Sequence, residues 1–204
     1  HELAQGYEDV KDLSVTVEFR VKGKPDTSLL AWTTTPWTLP GNVGLAVHPD
    51  IEYVEIEKKD EGVGRPVRFI LAKDRLQTIF ATDEYTVVRE VKGEKLVGLE
   101  YEPLYPYLAQ KFADKNPEAF ARAYKVYPAD FVTTTDGTGI VHTAVMYGQD
   151  DFELGTQVGL PKFHLVKEDG HFLDDIGFLS GRFVKEKDEK GEDILAIHII
   201  KELP

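Results

Sequence analysis

The chain has 204 residues, 42% of them hydrophobic and 11% aromatic, a formal net charge of −12 and no cysteine. That is enough apolar material for one sizeable domain, and it excludes disulfides, thiol chemistry and cysteine-based zinc sites. The acidic balance argues against non-specific binding to a phosphate backbone, which needs Lys and Arg to displace counterions, but leaves room for a site that accepts one nucleic-acid end.

The leading "HELAQGYEDVKD" has neither the basic start nor the apolar stretch of a signal peptide. No apolar run reaches the roughly 18 residues of a membrane span. A cytoplasmic protein with no membrane contact is expected. "SVTVEFRV" then alternates, with Val15, Val17, Phe19 and Val21 on one face, and reads as a half-buried strand. "GKPD" is a turn. "SLLAWTTT" is a more apolar strand, running to Thr35. "VGLAVHP" and "EYVEIEK" are two further strands joined near Pro49-Asp50. "KKDEGVGRP" is a hairpin loop before the strand "VRFILA". "KDRLQTIFA" is a short helix and "YTVVREV" a returning strand.

Residues 103–130 carry four prolines, many aromatics and short helical pieces. They read as an excursion packed on the edge of a barrel. "FVTTTDGTGIVHTAV" is a strand with a Gly-Thr-Gly kink. "GQDDFELGTQVGL" starts a helix, with Gln149 or Asp150 near its N-cap and acidic residues where the helix dipole favours them. "DEKGEDILAIHIIKEL" is a polar lead into an amphipathic helix. Many short strands joined by turns, with few helices, give a β-rich α+β fold: a β-barrel core with short peripheral helices. One domain over residues 1–204 is expected, with a core at about 7–185 and charged linkers at either end.

The chemistry is narrowed first by what is missing. The three serines, Ser14, Ser28 and Ser180, sit in no Gly-x-Ser-x-Gly elbow. There is no phosphate-binding loop of the Gly-x-x-x-x-Gly-Lys-Ser/Thr kind and no dinucleotide fingerprint. His164, Asp169 and His171 fit no standard zinc spacing, so no metal is expected.

Two stretches remain. In "AWTTTPWTLPGN", Pro36 ends a strand by removing a backbone donor, and the two tryptophans suit a core. Yet consecutive strand side chains alternate faces, so Thr33, Thr34 and Thr35 cannot all be core. If the strand bends before Pro36, hydroxyls and N–H groups converge on one spot that suits an ester carbonyl or an ammonium group. In "GTGIVHTAVMYGQDD", Gly137 and Gly139 allow close backbone approach. His142 reads as a core histidine or as a pocket wall. Asp151 reads as a dipole-complementing acid or as a carboxylate that holds an ammonium group.

Together, "WTTTPWTLPGN", "GEKLVGLEYEPLYPY" and "GTGIVHTAVMYGQDDFELGTQVGLP" resemble the editing domain of isoleucyl-tRNA synthetases, the connective polypeptide inserted in a class I catalytic domain. The resemblance covers roughly residues 7 to 185. Related valine and leucine enzymes carry Thr-Thr-Arg-Pro where Pro36-Trp37 follows the threonines here. The resemblance implies a barrel-based hydrolase that clears valine from mischarged tRNA(Ile), and valyl-adenylate. One missing methylene is worth only about 1–3 kcal/mol, a shortfall for which isoleucine enzymes are the standard illustration, so a second sieve is needed.

By position, Thr33, Thr34 and Thr35 would face the ester and the terminal adenosine. Trp37 and Asn42 would shape the pocket and its turn. Asp151 would bind the α-ammonium, and His142 would wall the side-chain pocket and exclude isoleucine. Tyr147 and the Gly137–Gly139 backbone would line the entrance. The partners implied are the 3′ end of aminoacylated tRNA(Ile), valyl-adenylate and the rest of a parent synthetase. No cofactor is implied for this domain, since ATP belongs to the catalytic domain, whose activation motifs are absent here. Two other readings stand beside it: an editing module of a valyl- or leucyl-type synthetase, and a non-catalytic module that docks the acceptor end. The second Thr-Thr-Thr, residues 133 to 135, matches no motif of the family and is expected as plain strand.

Overall fold

The computed structural model describes residues 14–59, 64–81 and 84–201. The leading "HELAQGYEDVKD" and part of the loop after "KK" therefore lie outside the described residues. Among the described residues eight strands form one mixed sheet: β1 (Val15–Arg20), β2 (Thr27–Thr33), β3 (Gly44–Val47), β4 (Glu52–Lys59), β5 (Pro66–Ala72), β6 (Thr86–Lys92), β7 (Lys125–Pro128) and β8 (Val141–Thr143). Their order is β6-β4-β5-β2-β8-β3-β7, with β1 pairing β2 on its other side. The helices are short: α1 (Leu76–Ile79), α2 (Tyr107–Phe112), α3 (Pro117–Phe120), α4 (Gln149–Val158) and α5 (Ile194–Lys201). Among the described residues no helix is long and apolar enough to cross a membrane.

The barrel closes through a segment too short to count as a strand. Val21, just past β1, bridges Tyr101, and Glu100 bridges Lys125 of β7. Backbone bonds continue the seam: Lys22 N–H to the Glu100 carbonyl, Glu102 N–H to Arg20, Tyr101 N–H to Tyr124 and Val126 N–H to Leu99. Residues 98–102 thus join β1 to β7 and complete a ring with β2, β8 and β3. The excursion expected at residues 103–130 forms the short helices α2 and α3, and its Leu104, Tyr105, Leu108 and Phe112 reach into the main core, as does Tyr101 just before it, whose ring Phe19 meets edge-on at 5.3 Å. Closure covers the ladder edges of β1 and β7, while β6 stays at the outer end of the β4–β5–β6 wing.

β2 is apolar on both faces because it lies between two cores. Leu29 and Ala31 face the main core, while Leu30 packs with Val54, Ile56, Phe69, Leu71, Leu76 and Phe80 under the β4–β5–β6 wing. On β3 the same alternation puts Leu45 in the main core and Ala46 against Leu154 of α4. Leu195 and Ile199 of α5 are also in the main core.

Two strand expectations are corrected. β2 stops at Thr33, so Thr34 and Thr35 lie in the following turn. Of residues 131–145, only Val141–Thr143 is strand; Thr133, Thr134 and Thr135 lie in irregular backbone before it. The physical reason is the same in both: Pro36 on one side, and Gly137 and Gly139 with φ of +65° and +75° on the other, take the chain off the pleat.

Candidate active site

Thr33 is the last residue of β2 and only 6% exposed. Its Oγ1 accepts the Thr35 N–H at 3.1 Å and lies 3.3 Å from Thr35 Oγ1, so a side chain takes over where the ladder ends. A 3-10 turn then runs over Pro36–Gly41, where proline at the first position leaves no donor stranded. Three residues per turn carry Thr38 back over Thr35. The Thr38 N–H and Oγ1 both donate to the Thr35 carbonyl, at 2.9 and 2.8 Å. Thr35 Oγ1 is 3.4 Å from Thr38 Oγ1, which lies 2.9 Å from Nε2 of His142. Thr33, Thr35, Thr38 and His142 therefore form one continuous polar row.

The row assigns the tautomer of the imidazole. Thr38 has one hydroxyl hydrogen, committed to the Thr35 carbonyl, so Nε2 carries the proton and donates to Thr38 Oγ1. Nδ1 is then a bare, buried lone pair with no partner among the described residues. Burial pushes the His142 pKa down to about 4, so the ring is neutral near pH 7.

The Trp37 ring meets Tyr147 edge-on at 5.3 Å, packing the threonine turn against the loop that leaves β8. Gly41 permits this approach, since a Cβ there would sit 3.0 Å from the Tyr147 ring. The Tyr147 hydroxyl accepts the Leu165 N–H at 2.8 Å, so the ring is held at both ends. α4 begins after Gly148, its N-cap, with Asp150 and Asp151 in the first turn. Asp151 Oδ2 accepts the Ala144 N–H at 3.1 Å, which ties it to the chain two residues after His142. Burial raises the Asp151 pKa above the ordinary carboxylate range; the Ala144 bond opposes this and Asp150 adds to it.

The other expected residues serve the scaffold. Asn42 donates Nδ2 to the Gly44 carbonyl at 2.9 Å and accepts the buried Tyr101 hydroxyl at 2.6 Å, so its amide fixes the exit of the turn inside the barrel. Gly137 lies on Trp32, where a Cβ would come within 2.9 Å of the ring, and Gly139 on Ala72, where it would come within 2.3 Å. Thr34 is exposed. The structure thus gathers Thr33, Thr35 and His142 in one row, sets Trp37, Tyr147 and Asp151 beside it, and leaves Asn42 and the two glycines supporting it. Thr38 is the residue that sequence reasoning missed. The signal was available: once Pro36 starts a 3-10 turn, Thr38 falls three residues on from Thr35.

Among the described residues no group of three or more His, Asp or Glu side chains could hold a metal ion. His171 pairs with Asp169 at 3.2 Å, while His164 lies edge-on to Tyr147.

No family model matches the chain. Among characterised proteins it is 47% identical over 190 residues to the isoleucine–tRNA ligase of Clostridium novyi and 48% identical over 190 residues to that of Clostridium acetobutylicum, each covering 93% of this chain. It is 45% identical to the Bacillus thuringiensis enzyme over 92% of its length. In each case the chain spans 17% of the relative's length. Among solved structures it is similar to GlLeuRS-CP1 (TM-score 0.48, 20% identity, 66% of this chain and 50% of that one). It is also similar to the P. falciparum cytosolic leucyl-tRNA synthetase editing domain (0.46, 17%, 62% and 44%). By sequence the chain is similar to aminoacyl-tRNA ligases. More particularly, nearly all of it is homologous to a segment of isoleucine–tRNA ligases.

Proposed function

We propose that this chain is the editing domain of an isoleucine–tRNA ligase and hydrolyses valine esterified to the 3′ end of tRNA(Ile), and valyl-adenylate, while excluding isoleucine by size. Its partners are that tRNA end and the rest of the parent synthetase, in the cytoplasm. The observation that carries the reading is the row of threonine hydroxyls ending on a buried, neutral imidazole, with a half-buried carboxylate in the first turn of α4, tied to the chain two residues after that imidazole.

That arrangement suits an aminoacyl ester. The Asp151 carboxylate holds the α-ammonium by a charge-assisted hydrogen bond, and the ammonium in turn favours the ionised carboxylate that burial opposes. Threonine hydroxyls are neutral donors suited to the oxyanion that forms when water adds to the ester carbonyl. The carbon–oxygen bond to the ribose then breaks, the water's proton passes to the ribose oxygen, and valine and a free tRNA end leave. An ester is activated enough for positioning and oxyanion stabilisation to suffice. His142 is a poor base for the water, because burial holds its ring well below its ordinary basicity. A wall on the side-chain pocket is the role its rigid, neutral ring fits. The test is deacylation of Val-tRNA(Ile) beside Ile-tRNA(Ile). Faster loss of the valyl ester is expected; equal rates, or no loss from either, would reject the reading.

A further inference from the structure

The polar row depends on where β8 is delivered, and β8 is only three residues long. On one side it pairs with β3 over its whole length, His142 opposite Leu45, but toward β2 it has a single pairing, Trp32 with Val141, so the entry into the strand is the less constrained end. The loop before it, residues 134–139, carries two left-handed glycines and has no ladder of its own. Its place is set by what grips its carbonyls. Ala72 N–H donates to the Thr138 carbonyl at 2.8 Å, and the Tyr53 hydroxyl donates to that of Gly139 at 2.7 Å. The remaining hydrogen bonds to its carbonyls come from one side chain. Arg75 donates Nε to the Gly137 carbonyl at 2.8 Å, and Nη1 to those of Thr135 at 3.2 Å and Thr134 at 3.5 Å.

Arg75 is half-buried and has no carboxylate partner among the described residues, so its charge is committed to peptide oxygens. A planar fork with five donors can bridge several carbonyls at fixed angles; an ammonium group cannot. We propose that Arg75 is a positioning residue: by holding the carbonyls of Thr134, Thr135 and Gly137 it fixes the loop that delivers β8, and so the placement of His142 against Thr38. Without the guanidinium, three carbonyls lose a charged donor and the loop is held only at Thr138 and Gly139. His142 follows three residues later. A displacement near 1 Å there is enough to cost a rate heavily while leaving the barrel closed.

The catalytic part of this inference rests on the editing reading; the positional part does not, and the experiment separates them. In the full-length protein carrying this sequence, Arg75→Ala is compared with wild type and with Arg182→Ala, which removes a half-buried arginine bound to Glu186 and His198 instead. The readings are the NMR signals of the labelled His142 ring and single-turnover deacylation of Val-tRNA(Ile). The expected result is that Arg75→Ala shifts the His142 ring signals while Arg182→Ala does not, and that the maximal deacylation rate falls about tenfold or more with less than about threefold change in KM. Ring signals that coincide with wild type in Arg75→Ala, or that move as far in Arg182→Ala, overturn the proposal. Should Arg75→Ala fail to fold, Arg75→Lys keeps the charge without the fork and gives the same readings, and unchanged signals there also overturn it. If wild type does not deacylate the ester, the editing reading fails while the ring signals still decide the role of Arg75.

Discussion

Thr38 Oγ1 and His142 Nε2 lie 2.9 Å apart, although 104 residues separate them in the chain. The contact joins the turn after β2 to the strand that carries the histidine, and fixes which imidazole nitrogen holds the proton. Thr38→Val keeps the shape and removes the oxygen, leaving the Nε2–H buried without a partner. A loss of about 1–3 kcal/mol in unfolding free energy is expected by urea denaturation, with Thr38→Ser close to wild type. A Thr38→Val protein as stable as wild type would show that the contact is not formed.

Stability should depend on pH through His142. Its pKa falls from the ordinary 6.5 of a free imidazole to about 4 on folding, because burial disfavours the charged ring. Between those values the unfolded chain binds the proton that the native state refuses. The stabilising contribution is therefore complete above pH 6.5 and is lost as the pH falls toward 4. Across the window it amounts to about 3 kcal/mol. Asp151, whose pKa is raised, acts in the opposite sense, being favoured in its protonated form by folding. The measurement is therefore a difference: wild type against His142→Gln, unfolded in urea from pH 4.5 to 8. The gap between them should narrow as the pH falls.

Asp151→Asn removes the charge while its amide oxygen can still accept the Ala144 N–H. A charge-assisted hydrogen bond contributes about 1.5–3 kcal/mol, so kcat/KM for Val-tRNA(Ile) should fall roughly tenfold to hundredfold with little change in Tm. An undiminished rate would place the ammonium elsewhere.

Gly139→Ala tests the seat of the loop. The added Cβ would lie 2.3 Å from that of Ala72, at a φ of +75°. Left-handed strain and overpacking together should cost about 2–4 kcal/mol by denaturation. Gly23, with φ +78° and open space around it, should cost only the strain.

Much of this was legible in the sequence. Alternation identified β1, and the unbroken apolar run of β2 reflects burial on both faces. The threonines before Pro36, His142 and Asp151 each carried a structural reading beside a functional one, and only the resemblance to a known family favoured the functional one. Barrel closure was not legible, because the bridging at Glu100 and Tyr101 leaves no periodicity to read. The two Thr-Thr-Thr runs were told apart only by the family motif; the physical difference is that a turn folds Thr38 onto Thr35, while Thr134 and Thr135 offer their carbonyls to Arg75. Thr38 could have been placed over Thr35 from the turn that Pro36 starts, but a lone arginine after "KD" carries no pattern, and only the tertiary fold gives Arg75 its partners.

The most direct measurement is single-turnover deacylation of Val-tRNA(Ile) and Ile-tRNA(Ile) by the full-length protein and by its His142→Ala variant. The wild type should clear the valyl ester at least about tenfold faster than the isoleucyl ester, and His142→Ala should hydrolyse both at similar rates, since removing the imidazole opens the pocket by more than a methylene. A variant that remains as selective for valine as the wild type would contradict the account.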